Sequence, residues 1–599
     1  MSGFYSKISL RHTLGRVFIK MSIKNEFSFL FPAPKTINWQ SHSLDIHNLC
    51  FPLEIIKKYD FLFDYFAVKN KNRGLEIICQ EKKTLSSEEY VIESDQSRIV
   101  LWANSQRGQF YALSTLLQIL AFYNKGGRMP GFFIKDAPDI SFRGFLLDVA
   151  HGAFPLLPEL QRLLLKLALL KFNHFSLYMG GPAKSESVAQ SESQKGSMAL
   201  NEIGLIVALA WKMGIDMYPA IAIGPDARSF DKAVFTNKFN AEIIAPFRSK
   251  LIHIELSEKA ETESVTVWFE RFLDIYRFYK AQGKMVLVWG DSFLATPDLI
   301  RKIPQDVLVL NRDYAIEKTD AFKKKAGPFK KHHIPQVLCP ATWSWARFIP
   351  AMRKSMANNA AAFAAAKEEK LAGVMLTNCT DKGDGSFLEG IILPLFQAGN
   401  LFWSGQSPRP DAFTQWALGQ NEPDLFRVYT FLAQVDNPLQ HTHRQYLFED
   451  PLFAIFSRQD NVKEIVARYR KTSLYLKKRK IVRSEMTDFL NFAQYLYEFI
   501  AAKVEFSSHF LTFLNAGQGD EKIRQPLERL LPGAEKLKNL YINLWLSRCQ
   551  PEGLARIIRE FDLLEERFHY LLQAGVNPSA RKNLLWELEN YSPAGEPWQ

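Results

Sequence analysis

The sequence predicts an α/β chain centred on an eight-stranded (β/α)8 barrel, preceded by a small α+β domain and followed by an all-α helical domain. Three observations carry this prediction. Between Phe142 and Asn378, eight apolar, β-rich runs recur with helical patterns between most of them. Eight strands over roughly 260 residues is the count and length of a closed α/β barrel. Short strand-like segments with one long helical pattern come before them, and beyond Pro408 the strand pattern stops. A doubly wound open sheet is the competing architecture. It usually has fewer strands and often a Gly-rich phosphate turn, and no GxGxxG follows any strand here.

Taken in order, residues 1–26 form a basic extension. Lys7, Arg11, Arg16, Lys20 and Lys24 stand there with no acid before Glu26. The segment lacks the unbroken apolar core and small-residue cleavage site of a secretory signal, so the expected location is cytoplasmic, with targeting by the basic arm left open. Residues 27–139 read as the α+β domain. Leu75–Cys79, Glu89–Glu93 and Ser97–Trp102 have strand character. Gly108–Tyr123 reads as an amphipathic helix with Phe110, Leu113, Leu117 and Leu120 on its apolar side. Lys135–Asp139, with Pro138, reads as a connector.

Residues 140–405 are the predicted barrel. Its strands are Phe142–Ala150, His174–Met179, Ile215–Ile223, Lys250–Leu256, Met285–Gly290, Val307–Arg312, Gln336–Ala341 and Gly373–Asn378. Helical patterns at Leu156–Lys171, Asn201–Met213, Val265–Gln282, Arg347–Glu369 and Leu388–Trp403 fit between and after them. The Ser-, Gln- and Lys-rich segment Pro182–Met198 follows the second strand and is expected to be a mobile loop at the barrel's C-terminal mouth. Residues 406–599 read as helices, among them Asp460–Lys480, Arg483–Phe506 and Glu535–Leu546.

Composition narrows the function classes. Of 599 residues, 47% are apolar and 23% charged, as in ordinary globular chains. The most apolar run, Phe154–Phe172, is interrupted by Glu159, Arg162, Lys166 and Lys171, so no membrane span is expected. Cys50, Cys79, Cys339, Cys379 and Cys549 stand singly, which argues against a zinc site or a disulfide framework and suits a reducing compartment. A balance of 75 basic to 63 acidic residues is mild for this length. The basic stretches Lys318–His333 and Lys463–Arg483 have helical spacing and read as solvated helix faces, and no nucleic-acid module accompanies them. His332 and His333 lack metal-ligand spacing. No cofactor fingerprint or phosphate loop is present, and the sequence is silent on oligomeric state.

Chemistry in such barrels sits where strands end. Those ends carry Asp148, Gly180, Gly224, Ser257 with Glu258, Asp291, Tyr314, Trp345 and Asp381, with Arg143 opening the first strand and Trp289 closing the fifth. An Asp at a strand end is more often a cap or loop hydrogen-bonder. Together, carboxylates able to act on glycosidic oxygens and aromatic faces able to stack on sugar rings point to a carbohydrate pocket.

A resemblance sharpens this reading. The opening Phe27-Ser-Phe-Leu-Phe-Pro-Ala-Pro-Lys, the run from Arg107 to Gln118, Phe142-Arg-Gly-Phe-Leu-Leu-Asp-Val-Ala, Lys171-Phe-Asn-His-Phe-Ser-Leu-Tyr, Val288-Trp-Gly-Asp, Pro340-Ala-Thr-Trp-Ser-Trp and Leu376-Thr-Asn-Cys-Thr-Asp-Lys-Gly-Asp fall in order. The chain thereby resembles glycoside hydrolase family 20, the β-N-acetylhexosaminidases, over about residues 27–405. The resemblance implies a substrate-assisted mechanism, in which the sugar's own 2-acetamido oxygen attacks the anomeric carbon. It implies an amino-sugar glycan or glycoconjugate as substrate. It also implies an adjacent Asp-Glu after the fourth strand, within His-x-Gly-Gly-Asp-Glu.

Here that stretch reads His253-Ile-Glu-Leu-Ser-Glu258. Glu258 keeps the place of the acid and Ser257 replaces the Asp. A serine hydroxyl accepts hydrogen bonds without a charge, and charge-assisted bonds are roughly twice as strong. The strand-two carboxylate falls on Gly180 and the strand-three His on Pro225. Two tryptophans fall on Arg312 and Cys379. Among the retained positions, the resemblance assigns Arg143 to sugar hydroxyls, Trp289 and Tyr314 to the acetamide pocket, Asp381 to an outer hydroxyl and Trp345 to the pocket floor. Asp148 and Asp291 complete the candidate binding set. Glu255 shares a strand face with Ser257 but lies roughly 6–7 Å deeper; one outcome is that it extends upward and supplies the missing charge to the acetamide through a water, and the expected one is that it pairs with a buried base such as His253 or stays too deep to help. Two readings follow: a hydrolase with an altered Ser257–Glu258 pair, which retention of Glu258 favours, and a pseudoenzyme that binds amino sugars or a protein, which the lost Asp, His and tryptophans favour.

Overall fold

The computed structural model describes residues 29–151, 153–179, 200–223, 244–256, 264–379, 386–407, 409–420, 422–435, 441–479, 485–515 and 520–576. The basic arm and the segment Pro182–Met198 lie outside the described residues.

The first layer is a six-stranded mixed sheet in the order β1-β6-β4-β5-β3-β2. Its strands are β1 (Thr36–Asp45), β2 (Leu49–Cys50), β3 (Leu75–Glu81), β4 (Tyr90–Ser94), β5 (Arg98–Ala103) and β6 (Arg128–Asp136). The helix Gln106–Tyr123 packs on it. Its first turn is capped by Ser105, whose hydroxyl accepts from the Gly108 amide. Two of these strands escape the sequence pattern. β1 is mostly exposed or half-buried, so its residues carry little apolar alternation. β6 runs through the expected connector, because Ile134 and Asp136 both turn into buried surroundings.

The barrel closes through eight parallel strands in chain order: β7 (Phe142–Asp148), β8 (His174–Tyr178), β9 (Asp216–Ile223), β10 (Leu251–Leu256), β11 (Met285–Trp289), β12 (Leu308–Arg312), β13 (Gln336–Cys339) and β14 (Gly373–Asn378), with β14 returning to β7. Every residue of β7 is buried, as a strand between a filled barrel and a helix layer must be. Phe142 and Leu146 join Tyr218, Leu287, Leu310 and Met375 inside. Phe145 and Leu147 face the helices. Closure requires glycine at Gly373, where a Cβ atom would lie 1.9 Å from the Phe142 carbonyl oxygen. Helices Leu157–Leu169, Leu200–Lys212, Val265–Ala281, Thr319–Lys331, Met352–Glu368 and Ile392–Ser404 form the outer layer.

The described part of the remainder is helical. The helix Asp520–Leu546 runs through Pro526 and Pro532, whereas the sequence pattern starts it at Glu535. Burial of Leu527, Leu530, Ala534 and Leu537 holds it continuous against the local cost of proline.

The floor of the barrel holds two buried cations. Arg143 is 1% exposed. Its guanidinium forks onto Glu88 at 2.8 and 3.0 Å, donates to the Ile140 and Lys171 carbonyls, and lies 5.0 Å from the Trp403 ring. Lys171, wholly buried, donates to the Tyr90 hydroxyl at 2.8 Å and to Asp136 at 3.1 Å. Burial pushes its pKa down to about 8 despite Asp136. Burial raises the Glu88 pKa, but Arg143, Arg107 and Asn173 together more than offset this and hold the carboxyl below its ordinary range. This corrects the sequence-based placement of Arg143 on sugar hydroxyls. It opens β7 at the end opposite the mouth, and its donors are taken by the sheet domain and main-chain carbonyls. Arg143→Met leaves Glu88 buried without its fork and is expected to lower stability by about 3–5 kcal/mol, read as a shift of the urea unfolding midpoint. An unchanged midpoint would show that the pair does not hold the two layers together.

Candidate active site

At the other end of the barrel the strands place a ring of polar and aromatic side chains. Inward-facing positions recur every second residue, so β7 delivers Asp148 above Leu146, and β8 delivers Tyr178 above Ser176. In the same way β10 delivers Glu255 above His253, β11 ends on Trp289, and β12 delivers Arg312 above Leu310. Asp148 is 3% exposed; its carboxylate accepts from the Ala150 amide at 3.0 Å and contacts His151 Nδ1 at 2.7 Å. The His151 ring stacks 6.1 Å from Tyr178. The Tyr178 hydroxyl donates to Glu255, and burial, then Glu255, raise the phenol's pKa.

Arg312 comes from the opposite side. Its Nε donates to Asp291 at 2.5 Å, and its guanidinium lies 4.7 Å from the Trp289 ring centre. Burial opposes its charge, but Tyr314, Asp291 and Glu255 more than offset that and raise its pKa. Lys325, from the lysine-rich helix Thr319–Lys331, reaches Asp313 at 3.0 Å and Asp291 at 3.6 Å. That stretch is therefore not only a solvated face. Tyr314 directs its hydroxyl to Cys379 Sγ at 3.6 Å; burial, then Cys379, push the phenol's pKa up.

The loop after β13 supplies an aromatic wall. Trp345 stands between Tyr314, at 5.3 Å, and Trp343, at 4.7 Å, and Lys354 lies 4.6 Å over Trp343. Trp343 and Ala346 have φ of 57° and 51°. Left-handed backbone at non-glycine residues persists only where surroundings over-determine it, and here they do. The Trp343 indole donates to the Tyr314 carbonyl, and the Thr342 and Ser344 hydroxyls both donate to Asn378. The Phe348 and Ile349 amides both donate to Nε2 of His443, a wholly buried residue of the helical region. Nearby, Arg548 and Cys549 line a small pocket with Asp148 and Asn378. The C-terminal helices thus help to build the mouth.

Measured against the sequence reading, the structure brings Asp148, Trp289, Asp291, Tyr314 and Trp345 to one end of the barrel and places Arg143 at the other. Ser257, Glu258 and Asp381, with Gly180, Gly224 and Pro225, lie outside the described residues. Trp289 is 9% exposed, roofed by Arg312 and met edge-on by His253 at 4.6 Å, so it belongs to the layer beneath the opening. Trp345 is half-buried beside Tyr314 and Trp343. Glu255 does not pair with His253: both His253 ring nitrogens are buried with no hydrogen-bond partner among the described residues. Tyr178, His151, Trp343 and His443 escape the sequence reading. Period-two counting from His174 reaches Tyr178; nothing local marks His443, whose partners lie about a hundred residues away.

Comparison with known proteins agrees with the motif reading. Residues 63–137 match the model described as "Glycosyl hydrolase family 20, domain 2". A β-hexosaminidase of Vibrio furnissii is 28% identical over 199 residues, covering 29% of this chain and 32% of that protein. A β-hexosaminidase of Porphyromonas gingivalis is 30% identical over 102 residues, 16% of this chain and 13% of that protein. The chain therefore spans a third or less of the length of these curated relatives. The crystal structure of a β-N-acetylhexosaminidase from Bacteroides fragilis superposes with a TM-score of 0.50 at 15% identity, covering 69% of this chain and 97% of that one, which shows a shared fold. These findings bear out the likeness to glycoside hydrolase family 20.

The barrel interior makes a pH prediction. Burial, and then the charge of Arg312, push the His253 pKa down to about 3, from an ordinary 6.5. A folded-state pKa below the unfolded one means that the unfolded chain takes up the proton first. Stability is therefore full above about pH 6.5 and falls as the pH drops toward 3. His253→Phe removes this contribution, so the difference in unfolding free energy between variant and wild type should shift in favour of the variant between those limits. A constant difference across the window would mean that His253 does not titrate with unfolding.

Proposed function

We propose that the chain is a glycoside hydrolase acting on terminal β-linked N-acetylhexosamine by a substrate-assisted retaining mechanism, with Ser257 and Glu258 in place of the Asp-Glu pair. The observation that supports it best is the convergence of Asp148, Asp291, Tyr314 and Trp345 at the barrel mouth, at the end where β10 leads into Ser257 and Glu258. The 2-acetamido carbonyl oxygen attacks the anomeric carbon as the glycosidic C–O bond breaks. The Glu258 carboxylic proton passes to the leaving oxygen. The Glu258 carboxylate then takes a proton from water, whose oxygen opens the oxazolinium ring at the anomeric carbon and restores the acetamide. Asp148, Asp291 and Asp381 would hold sugar hydroxyls, and Tyr314 with Trp345 would wall the ring.

A second reading, an amino-sugar-binding pseudoenzyme, draws on the same mouth. Arg312 roofs Trp289 and the Tyr314 hydroxyl meets a thiol, in a pocket where the resemblance implies two further tryptophan walls. Hydrolysis of an aryl β-N-acetylglucosaminide separates the two. The hydrolase reading expects turnover below the common range of about 1–10³ per second, abolition by Glu258→Gln for poor leaving groups, and a gain with Ser257→Asp. Calorimetric binding of N-acetylglucosamine without turnover in wild type or Ser257→Asp supports the second reading. Neither binding nor turnover overturns both.

A further inference from the structure

Glu255 stands where the family pattern has glycine, so its side chain adds a carboxylate to the mouth. Among the described residues, the other carboxylates there have cationic or imidazole partners: Asp148 has His151, Asp291 has Arg312, and Asp313 has Lys325. Glu255 takes a hydrogen bond from the neutral Tyr178 hydroxyl and interacts electrostatically with Arg312. It is half-buried rather than sealed, and His253 below makes no claim on it. Tyr178 is itself held, stacked near His151, which contacts Asp148. The result is a carboxylate aimed by a fixed phenol, two residues before the serine that replaces the orienting Asp.

We propose that Glu255, positioned by Tyr178, faces the nitrogen of the sugar's 2-substituent and holds the positive charge that develops there, the work Ser257 cannot do. This rests on the glycosidase reading above and adds a residue that the family pattern does not supply. A charge aimed where charge develops acts on the transition state more than on the bound sugar.

The test compares two ligands by calorimetry: N-acetylglucosamine, which is neutral, and its fused 1,2-thiazoline, whose basic ring nitrogen mimics the cyclised intermediate. Wild type should bind the thiazoline more tightly. Glu255→Gln should reduce that preference by about 10²-fold, the scale of losing one preorganised electrostatic partner, while N-acetylglucosamine affinity changes little. Tyr178→Phe should reduce it by about tenfold, as one hydrogen bond removed, and Glu255→Asp should retain more of it than Glu255→Gln. Thermal unfolding of each variant controls for a structural role, and Tyr178→Phe carries the test if Glu255→Gln does not fold. Equal loss for both ligands, or none for either, overturns the proposal. So does hydrolysis by wild type that Glu255→Gln leaves undiminished, even though the glycosidase reading then stands. If wild type binds neither ligand and hydrolyses nothing, that reading falls and this inference with it.

Discussion

Two buried cations at the floor of the barrel constrain everything built on it. A guanidinium and an ammonium taken out of water each cost several kcal/mol unless a carboxylate and further acceptors meet them. Glu88 comes from the turn before β4, Asp136 from β6, and Trp403 from the last barrel helix. Lys171, at φ 60° in the turn before β8, can reach its partners only if the sheet lies against the barrel floor. The sheet and barrel are therefore one packed unit. The Trp403 indole, which donates to Asp136, draws the last helix into it.

The same strand serves both ends. β7 carries Arg143 as its second residue and finishes with Asp148, roughly 17 Å apart at strand rise. At the floor, charge is committed to cohesion and sealed from solvent. At the mouth, Arg312 and Asp291 stay partly exposed, while Asp148 is buried against His151. This division accounts for Arg143 having a structural task while the acid five positions later, Asp148, lies at the mouth.

The mouth also depends on the helical region. Trp343 and Ala346 hold left-handed backbone that costs on the order of 1–3 kcal/mol each. Asn378 from β14, the Tyr314 carbonyl and His443 from a distant helix supply the bonds that keep it. An imidazole nitrogen that accepts two amide protons must be unprotonated there, which suits its complete burial. The aromatic wall is thus set from outside the barrel. Beside it, the swap of apolar for ionic groups at Arg312 and Glu255 makes orientation at this mouth an electrostatic matter as much as one of ring stacking.

The sequence by itself determined the eight strands, since each is buried on both faces and must read as a short apolar run, and the likeness that the ordered motifs carry. It determined that Asp148, Trp289 and Tyr314 come to one end of the barrel, because barrel strands are parallel and consecutive. It did not disclose β1 or β6, whose stability comes from sheet pairing and from Asp136's buried partners rather than from apolar alternation. Only the tertiary structure decided that Arg143 belongs to the floor, that Glu255 answers to Tyr178 and not to His253, and that His443 holds the loop bearing Trp345. Each of these depends on which side chain from another element arrives within hydrogen-bonding distance. Periodicity along one segment carries no record of that, because a hydrogen bond's partner is chosen by packing in space and not by spacing along the chain.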